Sequence, residues 1–166
     1  LSVASNALNY FDVYPNDVFL SFLPISHTFE RTAGYYLVIM AGATVAYSRG
    51  IPQLAEDMQI NKPTVMFTVP RVFERIYSRI NQNINKKSVI TKLIFQLTRH
   101  VGWLRFLNKQ NRLSWRPSLL LWPLVDKLIA SKIRQQFGGN MRLLISGGAA
   151  LPESISKVFI ACDLSV

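Results

Sequence analysis

The chain has few acidic residues, one cysteine and two histidines, and it contains no long apolar run. A single cysteine, Cys162, excludes an intrachain disulfide, and with no Cys/His cluster near it we expect a core side chain and no metal site. No apolar run reaches the roughly 20 residues that a helix needs to span a bilayer. The first residues lack the charged and then apolar layout of a signal peptide, which favours a cytoplasmic location.

The scarcity of acidic charge is concentrated in one part of the chain. Residues 71–142 contain fifteen Lys or Arg and only two acidic residues, Glu74 and Asp126, within a chain of net charge +10. Such a segment favours anionic partners, which include the phosphates of a nucleotide or coenzyme, an acidic membrane surface and nucleic acid. The total length of 166 residues and the 49% hydrophobic content suit a globular domain with a real core.

Strand and helix patterns alternate along most of the chain. Strands are predicted at 18–23, 44–48, 64–69, 141–145 and 164–166, and helices at 2–10, 27–40, 52–60, 71–80 and 152–161. The alternation predicts an α/β fold with a mostly parallel sheet and flanking helices. From 86 to 137 the strand signal disappears, and two helical patterns, 87–107 and 117–137, predict a basic helical insertion.

A glycine pair follows the strand pattern at 141–145. Without a Cβ, Gly147 and Gly148 allow unusual dihedrals and let the backbone lie flat against a ligand. Taken alone, the loop is more typical of a tight strand-to-helix turn without a ligand. A Gly-x-Ser-x-Gly nucleophile motif is absent, because position 144 is leucine, which argues against a serine hydrolase.

His27 lies at another predicted strand-to-helix junction, together with Phe29. A neutral imidazole there can line a pocket, donate a hydrogen bond to a carboxylate or act as a base. The alternative is a histidine that caps the helix, although Ser26 is the residue that the pattern favours as N-cap and Glu30 suits the first turn.

All three tryptophans, Trp103, Trp115 and Trp122, lie in the basic helical segment. Tryptophan and aliphatic side chains favour the membrane interface, and Lys and Arg bind anionic head groups, so this mixture predicts docking on an anionic membrane. An alternative is an aromatic core beneath a solvated basic face. Nucleic-acid binding is a third interpretation, and no recognised motif for it accompanies the charge.

Three blocks taken in order resemble the adenylate-forming acyl-CoA synthetases, and more narrowly the long-chain fatty acid–CoA ligases. They are residues 17–31 (DVFLSFLPISHTFER), 62–77 (KPTVMFTVPRVFERIY) and 144–152 (LISGGAALP). The resemblance implies an enzyme that uses ATP and Mg²⁺ to convert a long-chain fatty acid to an acyl-adenylate, and then passes the acyl group to coenzyme A.

The resemblance also implies site residues. The nucleotide-binding residues would be Gly147, Gly148 and Ala149 along the adenine, with Ala150 completing the motif. His27 would stand where the acyl carboxylate is handled, and the pocket for the acyl chain would be lined by Phe29, Phe67 and Val69. No catalytic residue, no metal ligand and no role for Glu30 or Arg71 is assigned. The chemistry is in-line attack on phosphorus, which needs positioning and charge neutralisation more than a nucleophile.

The lysine-containing phosphate loop, the Tyr-Gly-x-Thr-Glu motif that helps to hold magnesium, and the C-terminal domain of that family are absent from the sequence. We therefore expect residues 1–166 to be the central part of an AMP-binding domain, inactive alone, with 86–137 as an insertion. The competing hypothesis is a non-enzymatic module whose basic helices dock on an anionic membrane. The expected location is cytoplasmic, with peripheral association with a membrane's inner face and no nucleic-acid partner.

Overall fold

The computed structural model describes residues 2–166, which divide into two compact units. The first unit contains the residues up to Val69 together with 136–149. The second contains residues 70–135 and 150–166.

A four-stranded parallel sheet forms the centre of the first unit. Its strands are β1 (Val18–Ser21), β2 (Thr44–Tyr47), β3 (Val65–Thr68) and β4 (Leu143–Ser146). The spatial order is β2-β1-β3-β4, and all three neighbouring pairs are parallel. The predicted α/β fold is therefore confirmed. Because the strands are parallel, their carboxyl ends meet at one edge of the sheet, which is where such sheets bind ligands.

The helices of the first unit are α1 (Ser2–Leu8), α2 (Leu37–Ala41), which continues a π-helix (Glu30–Tyr36), and α3 (Leu54–Asn61). The helix predicted at 27–40 is confirmed as helical, but much of it is wider than an α-helix, and Gly42 ends it with a φ of 68°. A buried apolar cluster joins α1 and this helix to one face of the sheet: Ala4, Phe19, Ala33, Leu37, Val38, Val65 and Phe67.

The predicted strands extended too far at their carboxyl ends. β1 ends at Ser21, before Pro24, and β3 ends at Thr68, before Pro70 begins the next helix. Proline lacks an N–H for the ladder and restricts the residue before it, so the boundary falls earlier than the apolar pattern suggests. β4 lies two residues later than its predicted start, at Leu143.

Buried Asp17 forms an ion pair with half-buried Arg142 at the amino ends of the strands. Arg142 binds both carboxylate oxygens of Asp17, and Thr64 Oγ1 donates to Asp17 Oδ1 at 2.6 Å. Burial by itself would raise the pKa of Asp17, but hydrogen bonds from Arg142, Thr64 and the Tyr14 N–H outweigh it and lower the pKa. Residues preceding β1, β3 and β4 are thus held in one cluster, which fixes their alignment.

The second unit is helical. It contains α4 (Pro70–Asn85), α5 (Val89–Lys109), a 3₁₀-helix (Pro117–Leu121), α6 (Trp122–Val125), a π-helix (Asp126–Ala130), α7 (Ser131–Gln135) and α8 (Glu153–Ala161). The first predicted helix of the 86–137 segment is confirmed. The second, at 117–137, is helical but broken into four short pieces. Pro117 and Pro123 lie at helix starts because neither can donate to a preceding turn.

Close packing of α5 on α8 organises the core of this unit. Gly102 lies against the carbonyl of Ala161, where a Cβ would overlap the backbone. Phe73 and Phe159 pack edge to face with centroids 5.3 Å apart. Cys162 is buried, as predicted, and burial raises the pKa of its thiol to about 12. The strand predicted at 164–166 is wrong, since the structure shows only one bridge residue there, at position 165.

We expect Arg142→Met to lower the free energy of unfolding by about 2–3 kcal/mol, because Asp17 stays buried without its cation. Because folding lowers the pKa of Asp17, its ionised form contributes stability above the unfolded pKa, and this stability is lost as the pH falls through the folded pKa. The free energy of unfolding of the variant should therefore change less between neutral and acid pH. Urea unfolding at neutral and acid pH measures both effects. Lys109→Met is the control: its exposed pair with Asp163 should contribute less than about 1 kcal/mol. Equal losses for both variants would contradict the structural role of Asp17–Arg142.

Candidate functional site

The predicted site residues of the first unit follow the carboxyl ends of three neighbouring strands. His27 and Phe29 follow β1, Val69 follows β3, and Gly147 to Ala149 follow β4. Ala150 is the first residue of this stretch in the second unit and is exposed. One edge of the sheet therefore carries most of the residues chosen from the sequence.

The glycine loop begins as an extension of the sheet. Gly147 N–H donates to Thr68 O at 3.0 Å, one step beyond the paired ends of β3 and β4. Gly148 then takes a φ of 84°, a left-handed conformation that favours glycine, and its missing Cβ would face open space. Gly148 and Ala149 are exposed. The backbone of Gly148 and Ala149 is therefore open to a ligand.

The ring of Phe29 fills the place of a side chain at Gly147. A Cβ on Gly147 would overlap three ring atoms of Phe29. The same ring is edge-on to Phe67, with centroids 5.7 Å apart and an interplanar angle of 88°. Phe29 therefore contacts both the predicted nucleotide loop and a residue of the predicted acyl pocket.

Phe67 and Val69 differ in their surroundings. Phe67 is 2% exposed and stacks on Phe19 with centroids 5.7 Å apart, so it belongs to the core of the sheet face. Val69 is half-buried just beyond the end of β3. Of the residues predicted to line the acyl pocket, Phe29 and Val69 are partly exposed and can contact a ligand. Phe67 is buried and packs against the Phe29 ring.

His27 is exposed and caps the helix that follows it. Its Nδ1 accepts a hydrogen bond from the Phe29 N–H at 3.3 Å, in the role that the sequence had favoured for Ser26. The cap is thus an imidazole, which fits the capping alternative. The same bond orients the ring through Nδ1, so Nε2 is the nitrogen left for a ligand.

Glu30 is the residue whose surroundings sequence reasoning missed. Its side chain is 1% exposed, Ser21 Oγ donates to Oε1 at 2.5 Å, and Oε2 has no partner among the described residues. Gly34, one turn later, leaves room for the carboxyl group. Burial raises the pKa of Glu30 against the opposing effects of Ser21 and His27. In the sequence, Glu30 is an acidic residue in the first turn of a helix, a position that the helix dipole by itself explains.

Two further buried hydroxyl groups lie at this edge of the sheet. Thr68 and Ser146 are partners in the β3–β4 register, and neither Thr68 Oγ1 nor Ser146 Oγ has a hydrogen-bond partner among residues 2–166. Within the described part of the chain, no group of three or more His, Cys, Asp or Glu is placed to hold a metal ion.

The fold and the loop define an open parallel α/β protein with a candidate ligand site at the carboxyl edge of its sheet. A family described as "AMP-binding enzyme" matches residues 1–163. The chain belongs to this family of AMP-binding enzymes, as the resemblance implied.

Several curated proteins are similar to the chain. A probable CoA ligase of Humulus lupulus, CCL6, is 36% identical over 85% of this chain and 20% of its own length. The fatty acyl-CoA synthetase A of Dictyostelium discoideum is 31% identical over 90% of this chain and 21% of its own length. The long chain acyl-CoA synthetase 4 of Arabidopsis thaliana is 34% identical over 89% and 22%, respectively. The chain thus spans about a fifth of the length of these relatives. No solved structure matches it.

We expect Glu30→Gln to become more stable relative to the natural chain as pH rises. With a raised folded pKa, Glu30 contributes stability that is present below its unfolded pKa and lost as pH rises through the folded pKa. Glutamine never ionises and can still accept from Ser21. Urea unfolding from about pH 4 to about pH 8 measures the difference.

Glu153→Gln is the control for this measurement. Glu153 is exposed, and its hydrogen bond to Lys157 lowers its pKa, so its small effect should have the opposite sign. Stability curves of Glu30→Gln and the natural chain that stay parallel over the whole pH range would show that folding does not raise the pKa of Glu30.

Proposed function

We propose that this chain carries the acyl-adenylate-forming edge of an ATP-dependent long-chain fatty acid–CoA ligase. The observation that carries the proposal is the contact of Phe29 with Gly147 and with Phe67. A nucleotide on the glycine loop and an acyl group beside Phe29 are then neighbours at one sheet edge. The names of the relatives, which are CoA ligases and acyl-CoA synthetases, support the same reaction.

The proposed reaction has two steps. An oxygen of the fatty acid carboxylate attacks the α-phosphorus of ATP, and the bond to pyrophosphate breaks, which gives an acyl-adenylate. The sulfur of coenzyme A then attacks the acyl carbon, a thioester forms, and AMP leaves with the bonding electron pair while the thiol proton goes to solvent. Neither step needs a covalent bond to the enzyme, so the protein contributes chiefly by positioning.

Each proposed residue has a positioning task. The exposed peptide groups of Gly148 and Ala149 lie along the adenine, and Gly147 holds the loop to β3. His27 offers Nε2 to the acyl carboxylate, because its Nδ1 is occupied by the Phe29 N–H. Phe29 and Val69 offer apolar surface to the first carbons of the acyl chain. No residue of this chain is assigned to Mg²⁺, which usually binds through one or two carboxylates together with the phosphates of the substrate.

The first experiment is fatty-acid-dependent release of pyrophosphate from ATP, with the 166-residue chain and with the full-length protein that contains it. We expect release by the full-length protein, with acyl chains of different length giving different rates, and none by the 166 residues alone. If the full-length protein released no pyrophosphate with any fatty acid, the ligase function would be refuted.

Gly148→Ala tests the nucleotide loop against a matched control, Gly139→Ala. Both glycines have a φ of 84° with open space at the Cβ position, so alanine strains both backbones equally, by about 1–2 kcal/mol. Only Gly148 lies in the proposed adenine site. We expect kcat/KM for ATP to fall about 100-fold in Gly148→Ala, because the ligand is displaced, and to change less than about threefold in Gly139→Ala. Equal losses would mean that strain alone is measured.

Gly147→Ala tests the contact with Phe29. The new methyl group must displace the Phe29 ring, so we expect adenylation to fall about 100-fold. Adding Phe29→Leu frees the space, so the KM for ATP should return most of the way to that of the natural protein. The KM for the fatty acid should stay raised. A double-variant effect equal to the sum of the single effects, in free energy, would show that the two residues act independently.

A further inference from the structure

The helical segment of the second unit exposes large aliphatic side chains on both of its arms. We call the following residues the aliphatic face; each is between 37 and 71% exposed: Val89, Ile90, Leu93 and Leu97 on α5, and Leu120, Leu121, Leu124 and Leu128 on the 3₁₀-helix, α6 and the π-helix. Residues 89, 93 and 97, like residues 120, 124 and 128, recur every four positions. This spacing forms one stripe on α5. On the second arm, which passes from 3₁₀ through α to π geometry, the stripe is defined only by the exposure of its leucines.

The stripe on α5 lies in the first half of the helix, and Val101, four residues after Leu97, continues the same spacing into the buried second half. The buried residues are Phe95, Thr98, Val101, Gly102 and Leu104, and they include the close contact of Gly102 with α8. The aliphatic residues of the first half are therefore left exposed where the cover of the second half ends. An amphipathic helix of a soluble core would place polar residues at 89, 90, 93 and 97.

Most of the basic residues in the segment that carries the aliphatic face have no carboxylate partner among residues 2–166. The segment 86–137 contains one acidic residue, Asp126, which Arg134 binds at 2.7 Å. Arg105 and Lys109 bind Asp163 at 2.8 and 3.0 Å. The other basic residues of the segment have no ion pair among residues 2–166: Lys86, Lys87, Lys92, Arg99, Arg112, Arg116, Lys127 and Lys132. Lys86, Lys87 and Lys92 adjoin the stripe on α5, and Lys127 lies within the other.

The tryptophans contribute less than the sequence suggested. Trp103 stacks on Phe106 with centroids 5.2 Å apart, and Trp122 lies beneath the guanidinium of Arg105, 4.5 Å from its carbon. Trp115 alone of the three is an exposed large side chain. The exposed apolar surface is therefore mainly aliphatic, and aliphatic groups give no platform on which nucleic-acid bases stack.

We propose that the aliphatic face docks on the surface of an anionic lipid bilayer, with its two arms in the plane of the interface. Aliphatic side chains enter the boundary between head groups and acyl chains, and the unpaired cations of the same segment bind the anionic head groups. Charge complementarity favours this occupant over a protein partner. A protein surface usually carries both acidic and basic groups, and the aliphatic face has no acidic residue to pair with the basic ones. No helix among residues 2–166 is long and apolar enough to cross a membrane, so docking is peripheral at this face.

The proposal does not rest on the ligase function. It draws on the second unit alone, whereas the ligase proposal draws on the sheet edge of the first unit. Membrane docking would nevertheless place a ligase of long-chain fatty acids at the phase in which those acids dissolve.

Flotation of the full-length protein with phosphatidylcholine vesicles, with and without phosphatidylserine, tests the electrostatic part. The variant Lys86→Glu/Lys87→Glu/Lys92→Glu should bind the phosphatidylserine vesicles at least about 100-fold more weakly, since each cation near the surface contributes about 1 kcal/mol. The control Arg71→Glu/Arg75→Glu/Arg79→Glu changes the net charge equally on exposed residues of α4, and it should lose less than about fivefold. Equal losses would mean that only total charge matters and would overturn the proposal.

A second pair of variants tests the aliphatic part. Leu93→Asn/Leu124→Asn should weaken vesicle binding about tenfold or more at high salt, where head-group attraction is screened and insertion of aliphatic groups dominates. Ile39→Asn/Ile60→Asn, at two exposed positions of the first unit, should leave binding unchanged. If neither the lysine nor the leucine variants change vesicle binding, another segment or a protein partner covers the face. Preferential binding of the natural protein to RNA over phosphatidylserine vesicles would likewise overturn the proposal.

Discussion

The pairing of Asp17 with Arg142 is the interaction on which the first unit depends. The pair lies at the amino ends of the strands, and it also determines how their carboxyl ends are aligned. Once the starts of β1, β3 and β4 are aligned, the ladder carries that alignment to Thr68 and Ser146. The two residues are far apart in sequence, so their contact closes a long loop at an entropic cost. Separately, the burial of the Asp17 carboxylate is unfavourable and is offset by several hydrogen bonds.

At the carboxyl edge of the sheet, the missing Cβ of Gly147 determines where the Phe29 ring lies. Because Gly147 has no Cβ, the Phe29 ring lies directly against the loop, and Phe67 supports that ring by an edge contact. Glu30 lies next to this arrangement and holds the helix start to the end of β1 through Ser21. A buried carboxyl group with one unpartnered oxygen costs stability, and such groups are often retained for a function. This edge therefore combines a close apolar contact with a buried carboxyl group that has one unpartnered oxygen among the described residues.

Much of the fold was predictable from local patterns. The apolar runs identified β1 to β4, because a strand covered on both faces has little polar content, and periodicity identified α4 and α5. The helix at 117–137 was predicted, but its 3₁₀ and π turns were not, since apolar spacing does not distinguish α from 3₁₀ or π geometry. The nucleotide loop, His27 and Phe29 were also predicted as site residues, but as positions in a motif and not as a contact. Phe67 was expected in a pocket, and packing on Phe19 puts it in the core.

The sequence by itself determined the α/β alternation, the concentration of positive charge between residues 71 and 142, and the membership of the AMP-binding enzymes that the family comparison confirmed. These three properties depend only on residues that are close to one another along the chain, or on short contiguous motifs. Tertiary structure decided which cations are free and which are paired, since Asp163 occupies Arg105 and Lys109 from a distant part of the sequence. It also decided that Glu30 is buried and that Phe29 lies against Gly147, because burial and contact depend on residues brought together only when the chain folds.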